Sequence, residues 1–203
     1  MSHTANGADL TQAAADDASR GLRIEGTHTL ESGSYLFRLV ERADTPDAGC
    51  ISSPWWFQES TIRKILLKAR DHCEYAGIAL NNAACKQARE AAALSATWAG
   101  SGANYLLVGK IIAPVAFIWG APKPVGLERE NAPAATGLNT GATIESIECV
   151  PNPLCVQFYL PGMRDTRMAS KCISPQGRFK FSHSPELAEG DIEGFLRKVK
   201  GAG

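Results

Sequence analysis

The sequence predicts an α+β domain, and three observations carry that expectation. Strand-like and helix-like stretches are segregated rather than alternating: one early strand, two helices, then several strands. The chain has 203 residues, of which 44% are hydrophobic, enough for a substantial core and suited to a single domain. No internal repeat is visible, which argues against a stacked-repeat architecture.

Residues 1–25 are rich in Ala, Asp, Ser and Thr and poor in large apolar side chains. They are expected to form a flexible tail with a short helix around Leu10 to Ala18, leaving 26–203 as the domain. Order is expected from Gly33, because Ser34 to Val40 is aromatic and branched, as a strand is. Tyr35, Phe37 and Leu39 would share one face of it, and Leu36, Arg38 and Val40 the other. A turn around Pro46 follows, then Cys50-Ile51-Ser52-Ser53-Pro54-Trp55-Trp56-Phe57, which holds two of the four tryptophans.

A helix is predicted from about Gln58 to Glu74, with Ile62, Ile65, Leu66, Ala69 and Cys73 as its apolar stripe. A second helix is predicted from Asn81 to Trp98, with a small-residue face. Asn104 to Ile112 and Val115 to Trp119 read as strands broken at Pro114. Residues 120–141 read as a long loop or lid, Ile144 to Val150 as a weak strand, and Cys155 to Leu160 as a clear one. From Arg164 the chain reads as basic and irregular, with a short strand at Phe179 to Phe181 and a last helix from Asp191 to Lys200.

Several function classes lose support at this level. Lys and Arg total 21 against 21 Asp and Glu, so there is no net charge to signal nucleic acid or an anionic membrane. No stretch reaches the ~20 apolar residues of a membrane-spanning helix. The N-terminus lacks a charged region followed by an apolar one, so a cytoplasmic location, or secretion into a target cell by a signal-peptide-independent route, is expected. Six cysteines occur without a CxxC or a zinc-like Cys/His spacing, so reduced thiols and no metal are expected. GxSxG, HExxH, P-loop and GxGxxG patterns are absent.

Three features are candidates for chemistry. Arg38 lies in line with core-facing residues, either as an ion-paired arginine or as a fork for phosphate or carboxylate. Ser52, Ser53, Trp55 and Trp56 form either a hydrophobic staple or a ligand floor with hydroxyls and a stacking indole. Gln157 interrupts an apolar strand, either facing solvent or turning an amide into a cleft.

Taken in order, these features resemble the ADP-ribosyltransferase superfamily of bacterial toxin and effector type. Tyr35-Leu36-Phe37-Arg38 looks like its aromatic-x-Arg strand, Ser52-Ser53 before Trp55-Trp56 like its serine-bearing strand, and Gln157 like the later strand with a catalytic glutamate or glutamine. There is no Ser-Thr-Ser, and Glu145-Ser146-Ile147-Glu148 has the wrong spacing for Glu-x-Glu. The resemblance implies a split β-sheet core with two early helices. It also implies NAD as substrate, with its nicotinamide–ribose bond cleaved and ADP-ribose passed to a macromolecular acceptor or to water. Arg38 and Gln157 would be the catalytic pair, and Tyr35, Phe37, Arg38, Ser52, Ser53, Trp55 and Trp56 would line the NAD site. Two other readings stay open. One is a binding-only effector module that docks an acceptor or inhibitor protein through Trp55 and Trp56. The other is a hydrolase using a cysteine or serine with His72 or His183.

Overall fold

The computed structural model describes residues 10–40, 47–77, 79–80, 82–84, 87, 104–123 and 155–201. Within them lie seven strands: β1 (Leu22–Leu30), β2 (Tyr35–Val40), β3 (Trp55–Phe57), β4 (Tyr105–Ile111), β5 (Val115–Pro122), β6 (Gln157–Tyr159) and β7 (Ile173–Lys180). The helices are α1 (Gln12–Ser19), α2 (Asp47–Ile51), α3 (Glu59–Ala76), α4 (Thr166–Cys172), α5 (Pro185–Ala188) and α6 (Ile192–Gly201), with a 3-10 turn at Phe181–His183. The chain is therefore mixed helix and strand, as its pattern predicts. The strands form one antiparallel sheet in the order β1-β5-β6-β3-β2-β4-β7.

The alternation of β2 works as expected. Phe37 and Leu39 join Phe57, Leu106 and Val108 in a core closed by the α3 stripe of Ile62, Ile65, Leu66 and Ala69 and by Phe195, Leu196 and Val199 of α6. Leu36 points to the opposite face, where Trp56, Leu107, Phe117 and Phe158 are covered by α2 and α4. A third cluster, Ala18, Leu22, Ile118 and Tyr159, docks α1 over the β1-β5-β6 end of the first face. Thr61, in the first turn of α3, both donates to the Val156 carbonyl (2.9 Å) and accepts from its N–H (3.2 Å), which fixes the approach to β6. Gly77 ends α3 in the left-handed conformation (φ 64°), which glycine adopts without strain.

Register sets which side chains can meet. On the second face one row runs across the sheet through Trp119, Phe158, Trp56, Arg38, Leu107 and Arg178. On the first face the neighbouring row runs through Gly120, Gln157, Phe57, Phe37 and Val108. Each of three indoles lies over a glycine: Trp55 against Gly21, Trp56 against Gly109 and Trp119 against Gly26. A bare backbone there gives a large ring a flat seat, the pairing known to rescue glycines in sheets.

Several expectations are corrected. The short helix expected around Leu10 to Ala18 is α1, but the chain is ordered well before Gly33: β1 begins at Leu22, inside the expected tail. The described strands lie in one sheet rather than a split pair. Residues 164–180 form α4 and β7 rather than irregular chain. Residues 120–122, expected in a loop, extend β5. Most of the predicted helix from Asn81 to Trp98, the rest of the 120–141 loop and the strand from Ile144 to Val150 lie outside the described residues.

Candidate functional site

Arg38 lies on β2, Trp55 and Trp56 on β3 with Ser52 and Ser53 just before it, and Gln157 on β6, so the three features meet at adjacent strands. Their polar side chains do not converge. Phe37, Phe57 and Gln157 pair directly, so Gln157 shares a face with Phe37, while Arg38, one residue on, points through the other side of the sheet. The single cleft expected to hold Arg38 and Gln157 together is therefore absent from this arrangement. Arg38 and Trp56 belong to the second face; Tyr35, Phe37, Trp55 and Gln157 belong to the first.

Most of these residues have structural partners. The Tyr35 hydroxyl donates to the Lys200 carbonyl (2.9 Å) and ties β2 to α6. Phe37 is fully buried. The Ser52 hydroxyl, just past α2, donates back to the Gly49 carbonyl (3.0 Å). The Ser53 hydroxyl accepts from the Trp55 N–H (3.2 Å), and its carbonyl accepts from the Trp56 indole (2.7 Å). Trp56 is 0% exposed, so it cannot anchor a partner protein. Trp55 is half-buried and meets Tyr159 edge-on, with ring centroids 4.9 Å apart.

Arg38 is the exception on the second face. Its Nη1 donates to the Cys50 carbonyl (3.0 Å), and among the described residues no carboxylate pairs with it. Burial pushes its guanidinium below the ordinary arginine value, with Cys50 opposing that effect. The group still keeps its charge at neutral pH. Arg178, two strands away on the same row, brings Nη1 within 3.8 Å of Cys50 Sγ, so two guanidinium groups flank one residue of α2. On the first face the exception is Gln157. It is 5% exposed, and its carboxamide makes no hydrogen bond among the described residues.

The hydrolase reading gains little. Burial pushes the thiols of Cys73, Cys155 and Cys172 up, the wrong direction for a nucleophile. No group of His, Cys, Asp and Glu among the described residues could hold a metal ion. No helix among the described residues is long and apolar enough to cross a membrane.

Sequence reasoning missed one polar cluster. The Tyr159 hydroxyl donates to Asp17 Oδ2, and Arg164 Nη2 lies 3.2 Å from the same oxygen. Lys123 Nζ donates to the Ser19 carbonyl (2.6 Å). Together they clamp α1 to the sheet. Asp17 and Tyr159 are too far apart in the chain for any local pattern to pair them. Burial, then the bond to Asp17 and its charge, push the Tyr159 phenol up to about 12, with Arg164 opposing. A raised phenol supplies stability in full below its unfolded value near 10.0, and loses it as pH climbs toward about 12. Urea unfolding should therefore show the parent losing its advantage over Tyr159→Phe between about pH 10 and pH 12. A pH-independent difference would place the phenol elsewhere.

No family model, curated protein or solved structure matches the chain.

Proposed function

We propose that the protein is a ligand-binding domain that takes an anionic group, such as a phosphate or pyrophosphate, at Arg38. The observation that carries this reading is a largely buried guanidinium with one carbonyl partner and no carboxylate partner among the described residues. A buried charge costs free energy unless a counter-charge meets it. Arginine presents a planar fork that suits phosphate oxygens, and four of its five donors lie beyond the bond to Cys50.

NAD is the pyrophosphate carrier that the sequence resemblance supplies. Its cleavage, as by a toxin-type ADP-ribosyltransferase or an NAD glycohydrolase, is the second reading. The placement of β2, β3 and β6 side by side favours it, since β2 and β6 hold two of the resembling motifs and Ser52-Ser53 leads directly into β3. Gln157 weighs against it, because it faces away from Arg38.

Calorimetry with NAD, ADP-ribose and inorganic pyrophosphate tests the anion site. Arg38→Gln should weaken binding by about 10- to 100-fold, the span of a hydrogen bond to a charged group. The same change should leave the melting temperature unchanged or higher, because it removes a buried unmatched charge. No binding by the parent, together with a lower melting temperature in Arg38→Gln, would mark the residue as scaffold. Nicotinamide release, followed with and without acceptor proteins, separates cleavage from binding.

A further inference from the structure

We propose that two copies of the chain join β1 to β1 as an antiparallel dimer, continuing the sheet across a two-fold axis near Thr27. This surface is an edge strand, four strands away from β2, and does not depend on the reading given for Arg38.

The sheet ends in β1 on one side and β7 on the other, and the two edges differ. Along β1 every second residue turns its N–H and carbonyl away from β5, and no described strand meets them. Arg23, Ile24, Glu25, Thr27 and His28 are exposed there. An open edge of this length is a template for another strand. β7 is blunted instead. Pro175 has no N–H to offer, Gly177 (φ 149°) borders a register shift against β4, and Arg178 and Lys180 add charge. Pairing of β1 on β7 would repeat without end and build a filament. A blunted β7 disfavours that, whereas β1 on β1 uses the same surface twice and closes at two copies.

The charges along β1 are self-complementary. Arg23 stands at its start and Glu31 just past its end, both exposed. With the axis at Thr27, antiparallel pairing sets Arg23 of one copy beside Glu31 of the other, and does so twice. Glu25 then falls beside Thr29, and Thr27 meets its own copy, so no like charges face each other. The apolar surface agrees. Ile24 and Ile112, 39% and 48% exposed, are two of the four exposed large hydrophobics among the described residues. The Ser32 hydroxyl donates to the Ile112 carbonyl (3.4 Å), which puts Ile112 at the far end of β1. The dimer carries Ile24 of one copy to that end of the other. A nine-residue edge is a small contact, so the dimer is expected to be weak and concentration-dependent.

Sedimentation velocity of the full chain, from about 1 µM to about 200 µM, tests this; monomer should give way to dimer within that span. Arg23→Glu and Glu31→Arg each replace two attractive pairs with two repulsive ones, and each should raise the dissociation constant roughly tenfold. The double variant Arg23→Glu/Glu31→Arg should return it to the parent value. Within one chain these positions are eight strand residues, roughly 26 Å, apart, well beyond the screening length, so such a rescue reports contact between copies. Thr27→Lys sets two ammonium groups at the axis and should abolish the dimer. All three positions are exposed, so thermal melts of the dilute monomers should coincide. A parent that stays monomeric throughout would overturn the proposal. So would association that Thr27→Lys and Arg23→Glu leave unchanged, or species that grow past two copies. A double variant as weak as the single ones would overturn the antiparallel register. Should Thr27→Lys misfold, the charge-reversal series decides.

Discussion

Trp56→Ala should cost the fold about 3–5 kcal/mol, the range for truncating a large buried aromatic. The indole is wholly buried, donates to the Ser53 carbonyl (2.7 Å) and rests on Gly109. A Cβ on Gly109 would stand 3.4 Å from the far edge of that ring and 2.7 Å from Ile173 Cγ2, so the glycine and the tryptophan fill one space between them. Removing the ring opens a cavity lined by Phe158, Leu36 and Ile173 of the same cluster and leaves the Ser53 carbonyl without its donor. Trp55→Ala should cost less, roughly 1–2 kcal/mol, because that ring is only half-buried and its neighbours can close on it. Urea unfolding of both variants checks the contrast. Equal costs would mean that the two indoles do not differ in burial as described. A Trp56→Ala protein of normal stability would restore that ring as a ligand floor.

The contrast between the two tryptophans shows what the sequence made legible. The alternation of β2, the apolar stripe of α3, the strands β4 to β6 and the last helix could all be read from local period, because each buries one face. The position of Arg38 among core-facing residues was legible for the same reason. β1 was not, since an edge strand with most residues exposed and a register shift between Ile24 and Gly26 shows no clean alternation. α1 was legible as a short helix, but its docking on the sheet was not, because its Ala-rich composition also suits a tail. β7 was hidden by Pro175 and Gly177, residues that weaken a strand pattern. The decisive point for function, whether Arg38 and Gln157 share a face, depends on pairing between residues a hundred or more apart. A shift of one residue there moves every side chain to the other face, and no local pattern fixes it.

Gly120→Ala should be the most disruptive small substitution in the sheet, at roughly 3 kcal/mol or more. Extra atoms in a packed interior commonly cost about 1–3 kcal/mol, and more where the neighbours cannot move. Here they cannot: a Cβ on Gly120 would fall 2.0 Å from the Arg23 carbonyl oxygen, 2.8 Å from its carbon and 3.1 Å from Ile24 Cα, all backbone. The strain would be released by pushing β1 away from β5 beside the register shift at Ile24 and Gly26. β1 follows α1 directly, and Leu22 belongs to the cluster that docks that helix. Loss of the β1–β5 pairing should therefore loosen α1 as well, and hydrogen exchange should quicken over residues 12–30 while α3 and α6 keep their protection. An alanine tolerated at 120 with unchanged exchange would mean that β1 does not approach β5 as closely as these distances require.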